Sequence, residues 1–161
     1  MAVNPEVVAW LDERGAKYEV IEHAEVFDTV AEARELGIDV DQLAKSLVVH
    51  VTHEGNQAVV VVPGGHRVSN DKIQALFGTS HARLATEDEL STEFPRFELG
   101  AVPPLSGLVR IPVYIDRRLI DHETVLFNGG THTASIRISM HDFINLADLS
   151  VVDVVEEPKV A

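Results

Sequence analysis

The sequence predicts an α+β protein built on a mixed β-sheet that is flanked by helices. Capped helical segments and apolar strand segments follow one another without a regular βα alternation, which is typical of this class. Two strand segments, residues 46–51 and 57–62, are almost continuously apolar, as strands covered on both faces are. The chain has 161 residues, of which 45% are hydrophobic and 24% charged. We therefore expect one domain over residues 1–161 with a proper core.

End signals define the individual helices. Asn4 followed by Pro5 is typical of a helix start, and Gly15 of a helix end. Thr29 and Glu32 have the spacing of a capping box at the start of a second helix. Further capped helices are predicted at 69–78, 86–94 and 139–147, with a helical turn at 39–44. The predicted strands are 17–23, 46–51, 57–62, 110–116, 124–128 and 133–138.

Composition excludes several classes of protein. The chain has no cysteine, so it forms no disulfide, thiol nucleophile or cysteine-ligated zinc site. No apolar run approaches the roughly 20 residues that span a bilayer, and the N-terminal segment lacks the pattern of a signal peptide. We therefore expect a cytoplasmic protein with no membrane partner. The net charge of −13 disfavours binding to a polynucleotide unless basic residues gather on one face.

Lys45 stands at the start of an apolar, β-branched run in "DQLAKSLVVHV". Period-two alternation puts it in line with Leu47, Val49 and Val51. A lysine at a strand end can extend its charged head into solvent along an apolar stem. The alternative is that the ammonium group faces a cavity and takes part in chemistry.

The segment "FNGGTHTASIRI" combines a turn with a histidine. Asn128 and Gly129 form a tight-turn signal, and Gly130 adds freedom for positive φ. Alternation beyond the turn places His132 on the inward face of a strand. His132 is then either a hydrogen-bonded core histidine or a cavity histidine beside glycine N–H groups that can bind an oxyanion.

Other motifs have ordinary structural explanations. The eight histidines show no metal-ligand spacing, and His50 and His53 would point to opposite faces of a strand end, so we expect no metal site. Residues 69–72, "SNDK", match a Ser-x-x-Lys motif, but the companion motifs are missing and a helix cap explains the match. The loop at 98–108 is either a surface connection or a rigid pocket wall.

Four segments, taken in order, resemble one family: "AKSLVV", "VVVVPGGHRVSNDKI", "GAVPP" and "FNGGTH". They are similar to the YbaK and prolyl-tRNA synthetase-associated editing domains, over about residues 18–155. The resemblance implies a mixed, barrel-like sheet flanked by helices and an aminoacyl-tRNA deacylase, either free-standing or inserted in a synthetase. Position by position, the residues that match the family's motifs are Lys45, Gly100 and Pro104 of its Gly-x-x-x-Pro loop, Gly130 and His132.

Two departures from the family pattern leave the choice of substrate open. Ser46 stands where many relatives have threonine or asparagine. Leu105 and Ser106 alter the residues that follow the proline pair.

The reaction implied by the resemblance is hydrolysis of the ester of a tRNA mischarged with a small amino acid. It needs a positioned water and oxyanion stabilisation, and neither a cofactor nor a metal. Lys45 would hold the terminal nucleotide or the ester carbonyl, while N–H groups near Gly129 and Gly130 bind the oxyanion. His132 would orient the aminoacyl group or the water, and Ser46 would contact the substrate. The implied partners are the 3′ acceptor end of aminoacyl-tRNA and, second, an aminoacyl-tRNA synthetase.

Contact with tRNA by so acidic a chain requires a local basic face. Arg67, Lys72 and Arg83 cluster in sequence around one predicted helix and are our candidates for it. Two other functions stay open. One is a binding module for charged tRNA or an amino acid, in which Lys45 binds without catalysis. The other is an esterase or thioesterase for small acyl metabolites, which the acidic charge favours.

Overall fold

The computed structural model of the protein describes residues 3–26, 28–52 and 54–157. Within them lie six α-helices and eight β-strands, joined by loops and two short 3₁₀ turns. The helices are α1 (Pro5–Glu13), α2 (Thr29–Leu36), α3 (Asn70–Phe77), α4 (Glu87–Glu93), α5 (Ser106–Val109) and α6 (Met140–Ala147). The strands are β1 (Tyr18–Glu22), β2 (Leu43–His50), β3 (Gln57–Pro63), β4 (Arg83–Leu84), β5 (Val113–Asp116), β6 (Thr124–Asn128), β7 (Ala134–Ser139) and β8 (Leu149–Val152).

The strands form one mixed sheet in the order β1-β7-β6-β2-β3-β5-β8, with β4 paired to β2. Neighbours β1–β7, β7–β6 and β2–β3 are antiparallel, whereas β6–β2, β3–β5 and β5–β8 are parallel. The predicted α+β class, with a mixed sheet flanked by helices, is confirmed. None of the helices in the described part of the chain has the length and apolar character needed to cross a membrane.

Both faces of the sheet are covered, which explains the continuous apolar runs in β2 and β3. On one face, residues of α1 and α6 such as Leu11 and Phe143 pack against the sheet in the largest core cluster. On the other face, Ile73 of α3 packs against Val60 and Val62 of β3. A smaller cluster joins α2 to β2 and β6. The helix α2 therefore lies over the place where β2 meets β6.

The strand β2 begins at Leu43, three residues earlier than the sequence indicates. Leu43 pairs with Leu126 of β6, and its carbonyl accepts a hydrogen bond from the Gly64 N–H at 2.9 Å. These tertiary contacts extend the strand through residues that locally favour a turn. Lys45 consequently lies within a strand and not at its mouth.

The predicted capping box at the start of α2 is wrong. Asp28 is the N-cap, and its carboxylate accepts from the Ala31 N–H at 2.7 Å. Aspartate is a stronger cap than threonine and stands one position earlier. The Thr29 hydroxyl donates instead to the Gly64 carbonyl at 2.7 Å. The Glu32 carboxylate is thereby released from the helix end and accepts from the Ser135 hydroxyl at 2.7 Å.

Candidate functional site

The sheet opens between β2 and β6. One edge of β2 pairs with β3 from Ala44 to His50. On its other edge, β2 pairs with β6 at Leu43 and Ala44 and with β4 at Val49 and His50. Between these two pairings, the Val48 carbonyl accepts from the Ala85 N–H at 2.9 Å. The segment from Lys45 to Leu47 therefore borders a gap in the sheet.

A pocket of about 360 Å³ occupies this gap. Its volume is near the lower end of the range of small-molecule sites, roughly 300–1,000 Å³. Apolar side chains from β2, β6, β4, α4 and the loop after α4 form much of its wall, and the polar groups come from four places. These polar residues are Asp28, Thr29 and Glu32 of α2 and its cap, Lys45 and Ser46 of β2, Asn128 of β6, and His132.

Lys45 lines this pocket and is half-buried. Within the described ranges its ammonium group makes no hydrogen bond and no ion pair. A lysine without a partner in a partly enclosed pocket can offer its three N–H donors to an anionic or carbonyl ligand. Of the two interpretations drawn from the sequence, the geometry favours the cavity-facing one.

Ser46 also lines the pocket and is 7% exposed. Its hydroxyl has no hydrogen-bond partner among the described residues. Buried hydroxyl groups normally have a partner, so this one is available to a polar group of a ligand. The Leu43 carbonyl and the Val51 N–H both form hydrogen bonds on the side of β2 that faces β3. Backbone polar groups of successive strand residues point to opposite edges of the strand. Those of the odd-numbered residues therefore face β3, and those of Ser46 face the gap.

His132 lies in the loop before β7 and is held from two sides. Its backbone N–H donates to the Glu98 carboxylate at 2.8 Å, and its ring Nε2 contacts the Leu99 carbonyl. Because a carbonyl only accepts, the Nε2 atom carries the hydrogen there. The ring lies next to Gly100, where a Cβ would sit 3.8 Å from His132 Cε1. Both His132 and Gly100 line the pocket.

Gly129 and Gly130 support the pocket loop from behind and are not among its lining residues. The Gly129 N–H donates to the Ala134 carbonyl at 3.0 Å, so this donor is already used. Gly130 has φ +84°, and a Cβ there would lie 2.6 Å from Asn4 Cβ. Pro104 is buried behind the Gly100 end of the loop and does not line the pocket either.

The basic residues proposed for tRNA contact do not line the pocket. Lys72 is ion-paired with Asp153 at 2.9 Å and with Glu157 at 2.8 Å. The Arg83 guanidinium forms a bidentate ion pair with the Glu89 carboxylate, with N–O distances of 2.7 and 2.9 Å. Arg67 is exposed. Carboxylates thus compensate two of the three charges, which weakens the case for a basic face at this position.

Sequence reasoning missed Glu32 as a pocket residue. The capping pattern assigned Glu32 to the helix end. In the structure Asp28 caps α2, and the Glu32 side chain instead contacts Ser135 of β7. Sequence reasoning also missed His23, whose side chain is 2% exposed and lies behind Glu32. Within α2 the two buried residues are Glu32 and its neighbour Ala33.

A second polar cluster joins His50 of β2 to Glu89 and Glu93 of α4. His50 Nε2 lies 2.8 Å from Glu93, and His50 Nδ1 lies 3.2 Å from Glu89. One ring nitrogen and one oxygen of each carboxylate lie within 4.8 Å of one another, so these three side chains could together hold a metal ion, against the expectation from the sequence. Their direct contacts also tie α4 to β2. His53, the other member of the sequence pair, lies outside the described residues.

The same cluster predicts acid sensitivity. The hydrogen bond from Arg83, followed by that from the Thr86 backbone, lowers the pKa of Glu89 from 4.5 to about 2. A carboxylate with a lowered pKa in the folded state stabilises the fold above its unfolded pKa and loses this contribution as pH falls. We expect the free energy of unfolding from urea melts to fall between about pH 4.5 and pH 2. Glu89→Gln should flatten this part of the profile, and parallel profiles for the two proteins would contradict the assignment.

Comparisons with known proteins agree on one family. The family profile described as the aminoacyl-tRNA editing domain matches residues 23–146. The chain is 26% identical over 147 residues to the prolyl-tRNA editing protein ProX of Acetoanaerobium sticklandii, covering 88% of each. It is 26% identical over 150 residues to the multifunctional Ser/Thr-tRNA deacylase ProXp-y of Escherichia coli K12, covering 91% of this chain and 89% of that protein.

A solved structure supports the same assignment. The crystal structure of a candidate trans-editing enzyme for prolyl-tRNA synthetase matches with a TM-score of 0.82 and 29% identity, covering 95% of this chain and 98% of that one. The family profile spans most of the chain, including the pocket from α2 to β7. The resemblance seen in the sequence is thereby confirmed, and this protein belongs to the aminoacyl-tRNA editing domain family.

Proposed function

We propose that this protein, acting as a single editing domain, hydrolyses the ester bond of tRNA mischarged with a small amino acid. The observation that carries the proposal is Lys45, a lysine without a partner among the described residues, in the wall of a small pocket. Membership of the family and the deacylase relatives support the same reaction. The 3′ acceptor end of the tRNA would enter at the gap between β2 and β6.

The site residues expected from the sequence have distinct roles in this proposal. Lys45 holds the terminal nucleotide or the ester carbonyl through charge-assisted hydrogen bonds. The loop of Gly100 and His132 borders the aminoacyl group, and His132 orients it or the attacking water. Ser46 offers its unpaired hydroxyl to the substrate. Gly130 and Pro104 act indirectly by fixing the positions of the pocket loops.

The oxyanion needs donors other than the Gly129 N–H, which is bonded to Ala134. We assign this task to the Lys45 ammonium group and to the Ser46 backbone N–H that faces the gap. Donors already in place when negative charge develops stabilise the transition state without further reorganisation. The N–H of Gly130 remains a further candidate if the loop shifts when substrate binds.

A partner synthetase would extend this function. The chain is similar to a candidate trans-editing enzyme for prolyl-tRNA synthetase. This similarity favours the hypothesis that the protein acts on mischarged tRNA after a synthetase has released it. Arg67, Lys72 and Arg83 would then make at most a weak, salt-dependent contact with tRNA.

The test is a panel of mischarged tRNAs offered to the purified protein beside small acyl esters and thioesters. Release of a small amino acid from tRNA supports the proposal. Binding of charged tRNA without release would favour a binding module, and cleavage of the small acyl compounds alone would favour an esterase or thioesterase.

Deacylation should survive removal of divalent metal ions. The histidine and carboxylate ligands that cluster within the described ranges belong to the His50 group and not to the pocket. We expect turnover in a chelator that leaves the tRNA folded, such as a buffer with EDTA and a polyamine, to equal turnover without it. Activity that is abolished by the chelator and restored by zinc would contradict this mechanism.

A further inference from the structure

A buried carboxylate lies in the wall of the pocket and has no role in the steps described so far. Glu32 of α2 is 8% exposed and lines the same pocket as Lys45. Carboxylates are rarely buried to this degree unless they are paired. No ion pair joins Glu32 to Lys45 within the described residues. The pocket thus holds a buried carboxylate and a lysine that do not neutralise each other by direct contact.

A relay of hydrogen bonds behind Glu32 holds its carboxylate in place. Ser135 of β7 is fully buried and donates its hydroxyl to Glu32 Oε1 at 2.7 Å. His23 Nε2 lies 2.9 Å from the same hydroxyl and 3.9 Å from Glu32 Oε1. His23 Nδ1 lies 2.8 Å from the Ala24 carbonyl, so it must carry a hydrogen.

The relay supplies a hydrogen bond to one carboxylate oxygen of Glu32 but not to the other. Oε1 accepts from Ser135, whereas Oε2 has no hydrogen-bond partner among the described residues. The Ser135 hydroxyl and the His23 ring thus hold one side of the carboxylate inside the fold. A carboxylate oxygen without a partner in a pocket wall is suited to a cationic or hydrogen-donating group of a ligand.

We propose that Glu32 binds the α-ammonium group of the aminoacyl ester and so selects tRNA esters with a free amino group. This inference rests on the proposed function, because an aminoacyl-tRNA ester carries both negatively charged phosphate oxygens and a positively charged ammonium group. Its phosphate and ester oxygens are matched by Lys45, and its ammonium group by Glu32. Esters whose amino group is blocked or missing would leave Glu32 buried and unpaired, which makes their binding unfavourable.

The test compares two esters of nearly equal size on the same tRNA. Alanyl-tRNA carries the ammonium group, and lactyl-tRNA, obtained from it by deamination, carries a hydroxyl group there. Each single-turnover kcat/KM is divided by the rate of spontaneous hydrolysis of the same ester. We expect the protein to prefer alanyl-tRNA by about 10- to 100-fold, the size of one hydrogen bond to a charged group.

Glu32→Gln supplies the second half of the comparison. Glutamine keeps the shape of the side chain and an oxygen for Ser135 but removes the charge. It should lower kcat/KM for alanyl-tRNA by the same factor and abolish the preference over lactyl-tRNA. Glu35→Gln, on the exposed side of the same helix, should change neither rate, and thermal melts check that each variant is folded.

The outcomes separate this inference from the function beneath it. Hydrolysis of alanyl-tRNA and lactyl-tRNA at equal corrected rates by the unmodified protein overturns the inference and leaves the deacylase proposal standing. A folded Glu32→Gln protein that keeps the preference, or that loses both activities equally, also overturns it. If the protein hydrolyses no mischarged tRNA of the panel, both proposals fail.

Discussion

Lys45→Ala should reduce deacylation by about 10²- to 10³-fold while leaving the fold intact. This is the size of effect seen when one donor to a developing oxyanion is removed, roughly 3–4 kcal/mol. Stability should change little, because Lys45 has no partner among the described residues whose charge would be left buried and unpaired. Single-turnover rates measured beside a thermal melt give both quantities.

Two further variants make this result specific. Lys45→Arg should also fail, because a planar guanidinium is larger than an ammonium group and directs its donors differently. Lys17→Ala removes a lysine that does not line the pocket and should keep normal activity. A folded Lys45→Ala protein with full activity would mean that Lys45 is only a charge at the pocket rim.

Gly130→Ala should have the largest effect on stability of the changes considered. The residue has φ +84°, and a Cβ would lie 2.6 Å from Asn4 Cβ and 3.1 Å from Phe97 Cδ1. Strain at a positive φ and overpacking of a filled site each cost about 1–3 kcal/mol, so the free energy of unfolding should fall by about 2–6 kcal/mol. Activity should fall too, because relief of the overlap moves the loop between Asn128 and His132.

Gly78→Ala is the matched control for the backbone conformation. Gly78 ends α3 at φ +67°, and nothing lies within 4 Å of the position of a Cβ. This variant bears the backbone strain alone, about 1–2 kcal/mol, and should keep its activity. Equal losses of stability in the two variants, from urea melts, would show that the contact with Asn4 relaxes without cost.

Local signals were sufficient where one residue decides the structure. The cap at Asn4 forms as the sequence predicts, and the capped helices predicted from residues 69 and 86 begin at the caps Ser69 and Thr86. Their hydrogen bonds join residues two or three positions apart, so the pattern in the chain contains the whole interaction. The continuous apolar runs of β2 and β3 likewise predict, without knowledge of their partners, that both faces of these strands are buried.

Elements that depend on distant partners were not predicted. The strands β4 and β8 were missed, since β4 has two residues and β8 gains its place by pairing with β5. The helix α5 begins within the loop predicted at 98–108, and its Ser106 hydroxyl donates to the Ala147 carbonyl of α6 at 2.7 Å. The sequence had no means to indicate either contact.

The pocket illustrates the same limit. The resemblance pointed to Lys45 and His132, and the structure brings both to one pocket. Glu32 could not be found in this way, because its position depends on the Asp28 cap and on Ser135, which is 103 residues away. A strong local pattern, the apparent capping box, concealed a tertiary role.

The most direct test of the account is the single-turnover hydrolysis of tRNAs that carry amino acids of different size. The small pocket between β2 and β6 should admit a small residue such as alanine, cysteine or serine, with some spread among them, because an apolar pocket separates single methylene groups by only about 1–3 kcal/mol. We expect these esters to be cleaved and a phenylalanyl ester on the same tRNA to remain intact. Preferential cleavage of the phenylalanyl ester, or no cleavage of any ester by the folded protein, would contradict the account.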